Sequence, residues 1–237
     1  MRCLLGKVAI VTGGNQGVGF ATAEVLANQG FDVVIGCRNI ESGNIAVNKL
    51  KNVGLEATCI ELDVTKPTMV KTFVDLVMKK YQRIDILINN AAIFVEGDSL
   101  FVDIADNVLT ESFNTNVHGP WLMCKTVVPI MIRQKFGRIV NVSSGWGTTV
   151  EMQGGSAAYR ISKAGLNALT IILADELKNK GDIKVNAVCP GWVQTRMGGI
   201  KAPRKPIEAA EDIVWAATIS KDGPNGYFFR NKDKIAW

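Results

Sequence analysis

The 237-residue sequence is poor in several features that mark whole classes of function. It has one histidine, His118, and no Gly-x-Ser-x-Gly elbow to go with it, so a Ser-His-Asp hydrolase is not supported. The five cysteines (Cys3, Cys37, Cys59, Cys124, Cys189) are odd in number and show no Cys-x-x-Cys or Cys/His spacing. That pattern argues against a disulfide framework and against a zinc site, and no metal is expected. Such thiols suit a reducing compartment, so a cytoplasmic location is expected. No apolar run reaches the roughly 20 residues of a membrane span. The stretch before Gly6 and Lys7 has one Arg and only a short apolar run, which makes an unconvincing signal peptide. Lys/Arg blocks and basic stripes interleaved with aromatics are also missing, so no nucleic-acid partner is expected. The net charge of +5 suits an anionic ligand such as a nucleotide.

What is present is a globular balance, 47% apolar and 21% charged, with no linker, composition shift or internal repeat. The chain reads as one domain, residues 1–237. Lys7 to Val11 has the β-branched character of a buried strand. Next come Thr12-Gly13-Gly14-Asn15-Gln16-Gly17-Val18-Gly19, a helical pattern from Phe20 to Gln29, and a second buried strand from Phe31 to Gly36. Strand, glycine-rich turn, helix and strand within about thirty residues is the context that a dinucleotide fingerprint requires. Glycines allow a tight turn and close approach to a pyrophosphate, and the helix N-terminus presents N–H groups and a positive dipole end to it. An ordinary glycine-rich βα turn has the same composition; the context favours the nucleotide.

A carboxylate at the end of the second strand would take the ribose hydroxyls of NAD, whereas an Arg there accommodates the extra phosphate of NADP. The chain has Gly36-Cys37-Arg38-Asn39 and no acidic residue until Glu41, so NADP(H) is expected. A solvated loop role for Arg38 is the bland alternative. Further on, Tyr159 and Lys163 stand four apart at the start of a helical pattern from Ala157 to Lys178, which puts them on one face. A nearby cation lowers the pKa of a phenol and makes it a usable general acid or base. Such pairs also occur on solvated helix faces, so the spacing alone does not decide.

The Thr-Gly-x-x-x-Gly-x-Gly turn resembles that of the short-chain dehydrogenase/reductase family, and later motifs follow in the family's order. The resemblance implies that Gly13, Gly17 and Gly19 hold the cofactor phosphates, with Asn15, Gln16 and Val18 in contact. Some members carry a basic residue at the position of Gln16, so the NADP preference implied by Arg38 and Asn39 is softened. Asp63 and Val64 are implied to hold the adenine; Asp63 is equally readable as a helix N-cap. Asn89-Asn90-Ala91-Ala92 stands where the family has Asn-Asn-Ala-Gly, placing Asn90 and Ala91 at the cofactor, with Ala92 a departure. Asn116 matches a helix Asn that supports a proton relay, and Ser144 matches the serine that bonds the substrate carbonyl. Pro190, Gly191, Val193 and Thr195 match the segment at the nicotinamide end. Tyr159 is implied to be the acid/base, and Lys163 is implied to hold the nicotinamide ribose.

Cys189-Pro190-Gly191-Trp192-Val193 and the Gly226-Tyr227-Phe228 ending look like the carbonyl reductase branch. Monomeric members of that branch carry an insertion before the tyrosine that this chain lacks, so a homodimer or homotetramer is expected. Trp146 and Trp192 are expected substrate contacts, and residues 197–206 a lid. The implied fold is an α/β Rossmann-type doubly wound parallel sheet of about seven strands, order 3-2-1-4-5-6-7. The implied activity is NADP(H)-dependent reduction of a small-molecule ketone, aldehyde or quinone. A dinucleotide-binding sensor or scaffold without turnover is the alternative.

Overall fold

A computed structural model describes residues 6–97 and 99–237. The expectations made on Cys3 and on the N-terminal stretch lie outside the described residues. Five strands, β1 (Val8–Thr12), β2 (Asp32–Cys37), β3 (Ala57–Glu61), β4 (Ile86–Asn89) and β5 (Phe136–Val142), alternate with helices α1 (Gly17–Asn28), α2 (Ile40–Lys51) and α3 (Pro67–Tyr81). Between β4 and β5 run α4 (Asp106–Phe113), a π-helical turn (Asn114–His118) and α5 (Gly119–Gln134). Then come α6 (Ala157–Leu177), β6 (Asp182–Val188), α7 (Pro206–Ala217), β7 (Phe228–Arg230) and β8 (Asp233–Ile235).

The strands form one sheet in the order β3-β2-β1-β4-β5-β6-β7-β8, parallel except for the last pair. The sequence expectation of about seven strands is short by one. β8 is an antiparallel edge strand joined to β7 by a two-residue turn, in which Asn231 and Lys232 both have positive φ (54° and 68°). Two of its three residues, Asp233 and Lys234, are charged, and its turn lacks the Asn-Gly that advertises such hairpins.

Alternation along the strands feeds two cores. Val8, Ile10, Val34, Leu87, Ile139 and Val185 face the layer of α3, α5 and α6. Ala9, Val11, Val33, Ile35, Ile88 and Val140 face α1, α2 and α7. Strands buried on both faces explain why each reads as a continuous apolar run. β1 lies between β2 and β4, so the chain reverses its direction of winding there. In open α/β sheets a crevice opens at that reversal, beyond the carboxyl ends of the strands.

Candidate active site

A cleft of about 1450 Å³ occupies that crevice. Its floor is the turn after β1. Gly13 has φ +65° and donates its N–H to Gly36 O at 2.7 Å, which joins the ends of β1 and β2. A Cβ on Gly19 would lie 2.4 Å from Gly13 O and 2.5 Å from Asn90 Nδ2, so the helix can approach the turn only because that atom is missing. Asn90 closes the same knot, donating through Nδ2 to Thr12 O (2.9 Å) and Gly13 O (3.2 Å). Thr12 Oγ1 accepts from the N–H groups of Asn90 and Ala91, both at 3.0 Å. α1 opens with no side-chain cap on its N–H groups and no acidic residue in its first turn. Uncapped N–H groups and an unopposed dipole fit a pyrophosphate.

At one end of the cleft stand Arg38, Asn39, Asp63 and Val64. Arg38 is exposed, and among the described residues no carboxylate forms an ion pair with it. Asn39 caps α2, its Oδ1 accepting from Ser42 N at 2.7 Å. The N-cap alternative for Asp63 does not hold: α3 is entered through Lys66, and Asp63 Oδ1 instead accepts from Thr65 N (2.9 Å) and Thr65 Oγ1 (2.7 Å).

At the other end Tyr159 and Lys163 line the cleft. Lys163 is buried and its Nζ donates to Val142 O at 2.9 Å. Burial pulls its pKa down to about 8, while the nearby Cys189 opposes that. The Tyr159 phenol is pushed above its ordinary value, chiefly by burial and then by the charges of Cys189 and Glu96, with the neighbouring Ser144 hydroxyl pulling the other way. This corrects the expectation that Lys163 lowers the phenol. The ammonium lies 5.6 Å from the ring centroid and is directed at a backbone carbonyl, and desolvation wins. Ser144 Oγ accepts from Trp146 N at 3.2 Å, and the serine is near enough to Tyr159 to pull the phenol pKa back down in part.

Asn116 lies in the π-helical turn, fully buried. Its Oδ1 accepts from Ile93 N (2.9 Å), and its Nδ2 donates to Ile93 O (2.9 Å) and Ser162 Oγ (3.0 Å). It therefore fixes the chain leaving β4 against α6, and it reaches Tyr159 through Ser162, which donates to Tyr159 O at 2.7 Å.

Gly13, Asn15, Gln16, Gly17, Val18 and Gly19 line the cleft, as do Asn90, Ala91, Pro190 and Thr195. A Cβ on Gly17 would lie 3.1 Å from Thr195 Cγ2, so the first and last motifs meet across the crevice. Gly191, Val193 and Trp192 stand outside the lining. Val193 is buried, and its backbone bridges to Arg204. Trp192 is exposed and donates Nε1 to Gly198 O at 2.7 Å, which ties the indole to its own loop. Trp146, by contrast, packs edge-on to Tyr159 with ring centroids 6.3 Å apart. Arg160 lies over the Trp146 ring at 4.4 Å and fixes it.

Three positioning side chains escaped sequence reasoning. Phe94 sits between Trp146 (6.2 Å) and Tyr159 (5.0 Å). Glu96 Oε1 accepts from Tyr159 N at 2.6 Å and so caps α6, whose own N-cap Ser156 makes no side-chain cap bond. Arg204 donates to Pro190 O (2.9 Å) and pairs with buried Asp212 (2.6 Å), anchoring the segment that ends at Thr195. Loops 93–99 and 190–204 carry no periodicity that could have flagged them.

A glycine-lined crevice at the reversal point of a parallel sheet, with a half-buried tyrosine and a buried lysine at one end, defines a dinucleotide-binding α/β protein. More particularly, the model of the short chain dehydrogenase family matches residues 7–205, and the chain belongs to that family. It is 33% identical to carbonyl reductase (NADPH) 1 of Mus musculus, over 97% of this chain and 98% of that protein. It is 37% identical to a 3-oxoacyl-(acyl-carrier-protein) reductase of Thermotoga maritima, over 87% of this chain and 82% of that one. The crystal structure of an actinorhodin polyketide ketoreductase variant with NADPH superposes with a TM-score of 0.87 at 28% identity, covering 94% of this chain and 95% of that one.

Proposed function

We propose that the chain is an NADP(H)-dependent oxidoreductase that reduces a carbonyl to an alcohol, with Tyr159 as its general acid. The placement of Tyr159 and Lys163 at one end of a glycine-lined cleft, with Ser144 near the phenol, carries this reading. Reduced nicotinamide, when bound, supplies the hydride. The chain's own residues do the rest. Gly13, Gly17, Gly19 and the uncapped start of α1 hold the pyrophosphate, and Arg38 takes the phosphate that distinguishes NADP. Ser144 and Tyr159 orient the substrate oxygen through hydrogen bonds. As negative charge grows on that oxygen, Tyr159 gives it a proton. A phenol held above its ordinary pKa is fully protonated at neutral pH, the form an acid needs. Lys163, charged at neutral pH, serves the ribose and the relay that restores the proton, and Asn116 keeps the surrounding backbone in place.

Exposed Leu109 on α4, Trp121 on α5, and Ile161, Ile171 and Ile172 on α6 support a homodimer or homotetramer built on these helices, which light scattering tests. No helix among the described residues is long and apolar enough to cross a membrane.

The decisive experiment follows NADPH consumption over ketones, aldehydes and quinones, with Tyr159→Phe as the control. Turnover should fall at least about 100-fold while the NADPH Kd stays within about threefold, because one general acid contributes about that much. Full activity in Tyr159→Phe would remove the tyrosine from the chemistry, and tight NADPH binding without turnover in the parent would favour a sensor. The kcat/KM ratio for NADPH over NADH should exceed one and fall about tenfold in Arg38→Ala, as expected for losing a charge-assisted phosphate contact.

A further inference from the structure

Two thiols sit together at the adenosine end of the cleft, and the proposed chemistry uses neither. Cys37 ends β2 and Cys59 lies on the edge strand β3. Ile35 pairs with Cys59 and Cys37 with Glu61, so the side chains of all four share one sheet face. That face lies under α2. A Cβ on Gly43 of α2 would lie 2.1 Å from Cys59 Sγ and 2.7 Å from Cys37 Sγ, so the helix rests on both sulfurs. The sulfurs are 3.6 Å apart. A disulfide needs about 2.05 Å, and because the two cysteines are diagonal across the β2–β3 ladder, with Cα atoms about 7–8 Å apart by sheet geometry, closing the gap draws the two strands together as well as turning the side chains.

The pair is also wired to the cofactor turn. Cys37 Sγ donates to Asn39 O at 3.2 Å, and Ser42 Oγ donates to the same carbonyl at 2.8 Å. Asn15 of the glycine-rich turn donates Nδ2 to Ser42 Oγ at 2.9 Å. Cys37 itself lines the cleft, directly before Arg38. Drawing Cys37 toward Cys59 removes its bond to Asn39 O and disturbs the carbonyl on which Ser42 and, through it, Asn15 depend.

We propose that Cys37 and Cys59 are a redox-active dithiol that a peroxide closes to a disulfide, and that closing it weakens nucleotide binding at the adenosine end. The second half rests on the NADP(H) reading above. The two sulfurs divide the work. Cys37 is held below the ordinary thiol pKa, first by the S–H of Cys59, with help from Ser42 and the Asn39 backbone and against burial and Glu61. Cys59 is pushed up by the same bond and by burial. Cys37 is thus the thiolate that attacks. Its electron pair takes one oxygen of hydrogen peroxide, the O–O bond breaks, and the hydroxide released picks up a proton to become water. The Cys37 sulfenic acid then meets Cys59 sulfur. The S–S bond forms, the S–O bond breaks, and a second water leaves with the Cys59 proton. Two thiols are oxidised by two electrons and one peroxide is reduced to two waters.

The test treats the full chain with hydrogen peroxide, blocks remaining thiols with N-ethylmaleimide, and maps peptides by mass without reduction. NADPH Kd is measured on the same samples before oxidation, after it, and after dithiothreitol. A Cys37–Cys59 linked peptide is expected, with Kd raised about tenfold, within the usual range of coupling between sites, and restored on reduction. Saturating NADPH should slow the linkage. Cys59→Ser, or Cys59→Ala should the serine fail to fold, should keep the parent Kd and lose the peroxide response. A linkage elsewhere, no linkage, or an equal loss of affinity in the Cys59 variants overturns the proposal. A linked pair with unchanged Kd overturns the coupling. If the reduced protein binds neither NADPH nor NADH, the functional reading fails with the coupling, while the mass map still judges the dithiol by itself.

Discussion

Lys163 gives the structure its sharpest quantitative test. The side chain is 2% exposed, its ammonium has Val142 O as a partner, and burial brings its pKa from 10.5 to about 8. The unfolded chain therefore holds this proton more tightly than the folded one. Keeping the lysine charged at neutral pH costs stability, and stability rises with pH across the window from about 8 to about 10.5. The full interval corresponds to about 3.4 kcal/mol at about 1.36 kcal/mol per pKa unit. Between pH 7 and pH 9.5, before most tyrosines ionise, the same two values give about 2 kcal/mol.

Other groups titrate over that range, so the comparison is with Lys163→Met, which keeps the length of the side chain and removes the proton. Urea unfolding of both proteins at pH 7 and pH 9.5 gives two free energies each. The parent should gain about 2 kcal/mol relative to Lys163→Met as pH rises. At pH 7 the variant should be as stable as the parent or more so, because losing the bond to Val142 O offsets part of the relief from charge burial. Its turnover should be lost, an instance of a functional group retained at a cost in stability. A difference between parent and variant that does not change with pH would refute the reasoning, for it would mean the ammonium is solvated in the folded protein.

Two further outcomes test the frame around the site. Gly19→Ala puts a methyl group 2.4 Å from Gly13 O and 2.5 Å from Asn90 Nδ2, so it should cost about 1–3 kcal/mol in urea unfolding and weaken NADPH binding by more than tenfold. Unchanged binding would mean that the turn and α1 part without effect on the cleft. Asp212→Ala leaves the Arg204 guanidinium without its carboxylate and should cost about 3 kcal/mol, with a rise in NADPH KM larger than the fall in kcat, as the Pro190–Thr195 segment loosens. A loss confined to kcat would place Arg204 closer to the reacting atoms than the structure does.

Much of this arrangement is legible in the chain because short-range rules govern it. Glycines at 13, 17 and 19 between an apolar strand and a helix can serve only a few geometries, and the structure uses the one in which each missing side chain is needed. Tyr159 and Lys163 face one way because helices have a fixed period. Other features depend on distant partners. Glu96 caps a helix that begins 61 residues later in the chain, and Phe94 reaches Tyr159 from a loop without pattern. β8 is polar and becomes a strand only because β7 offers an edge. Trp192 stands outside the cleft lining with its indole bonded to Gly198 O, a bond six residues along an irregular loop that spacing does not reveal. Asn116 is the intermediate case: an Asn in mid-helix signals an irregularity, and the π-helical turn is that irregularity, but its bonds to Ile93 could not be read from spacing.

The direction of the Tyr159 shift shows where such inference stops. Spacing makes the lysine and the tyrosine neighbours, and neighbouring charge lowers a phenol's pKa. Depth is set by the whole fold, with α6 buried against the sheet and Phe94 and Trp146 closing over the ring. Desolvation then exceeds the pull of an ammonium that is itself drawn toward Val142 O. The result still suits carbonyl reduction. In the proposed reduction such a phenol stays protonated until an alkoxide growing on the substrate supplies the basicity that takes its proton. Burial that would hinder a base is compatible with an acid, which is the role the proposed reduction asks of Tyr159.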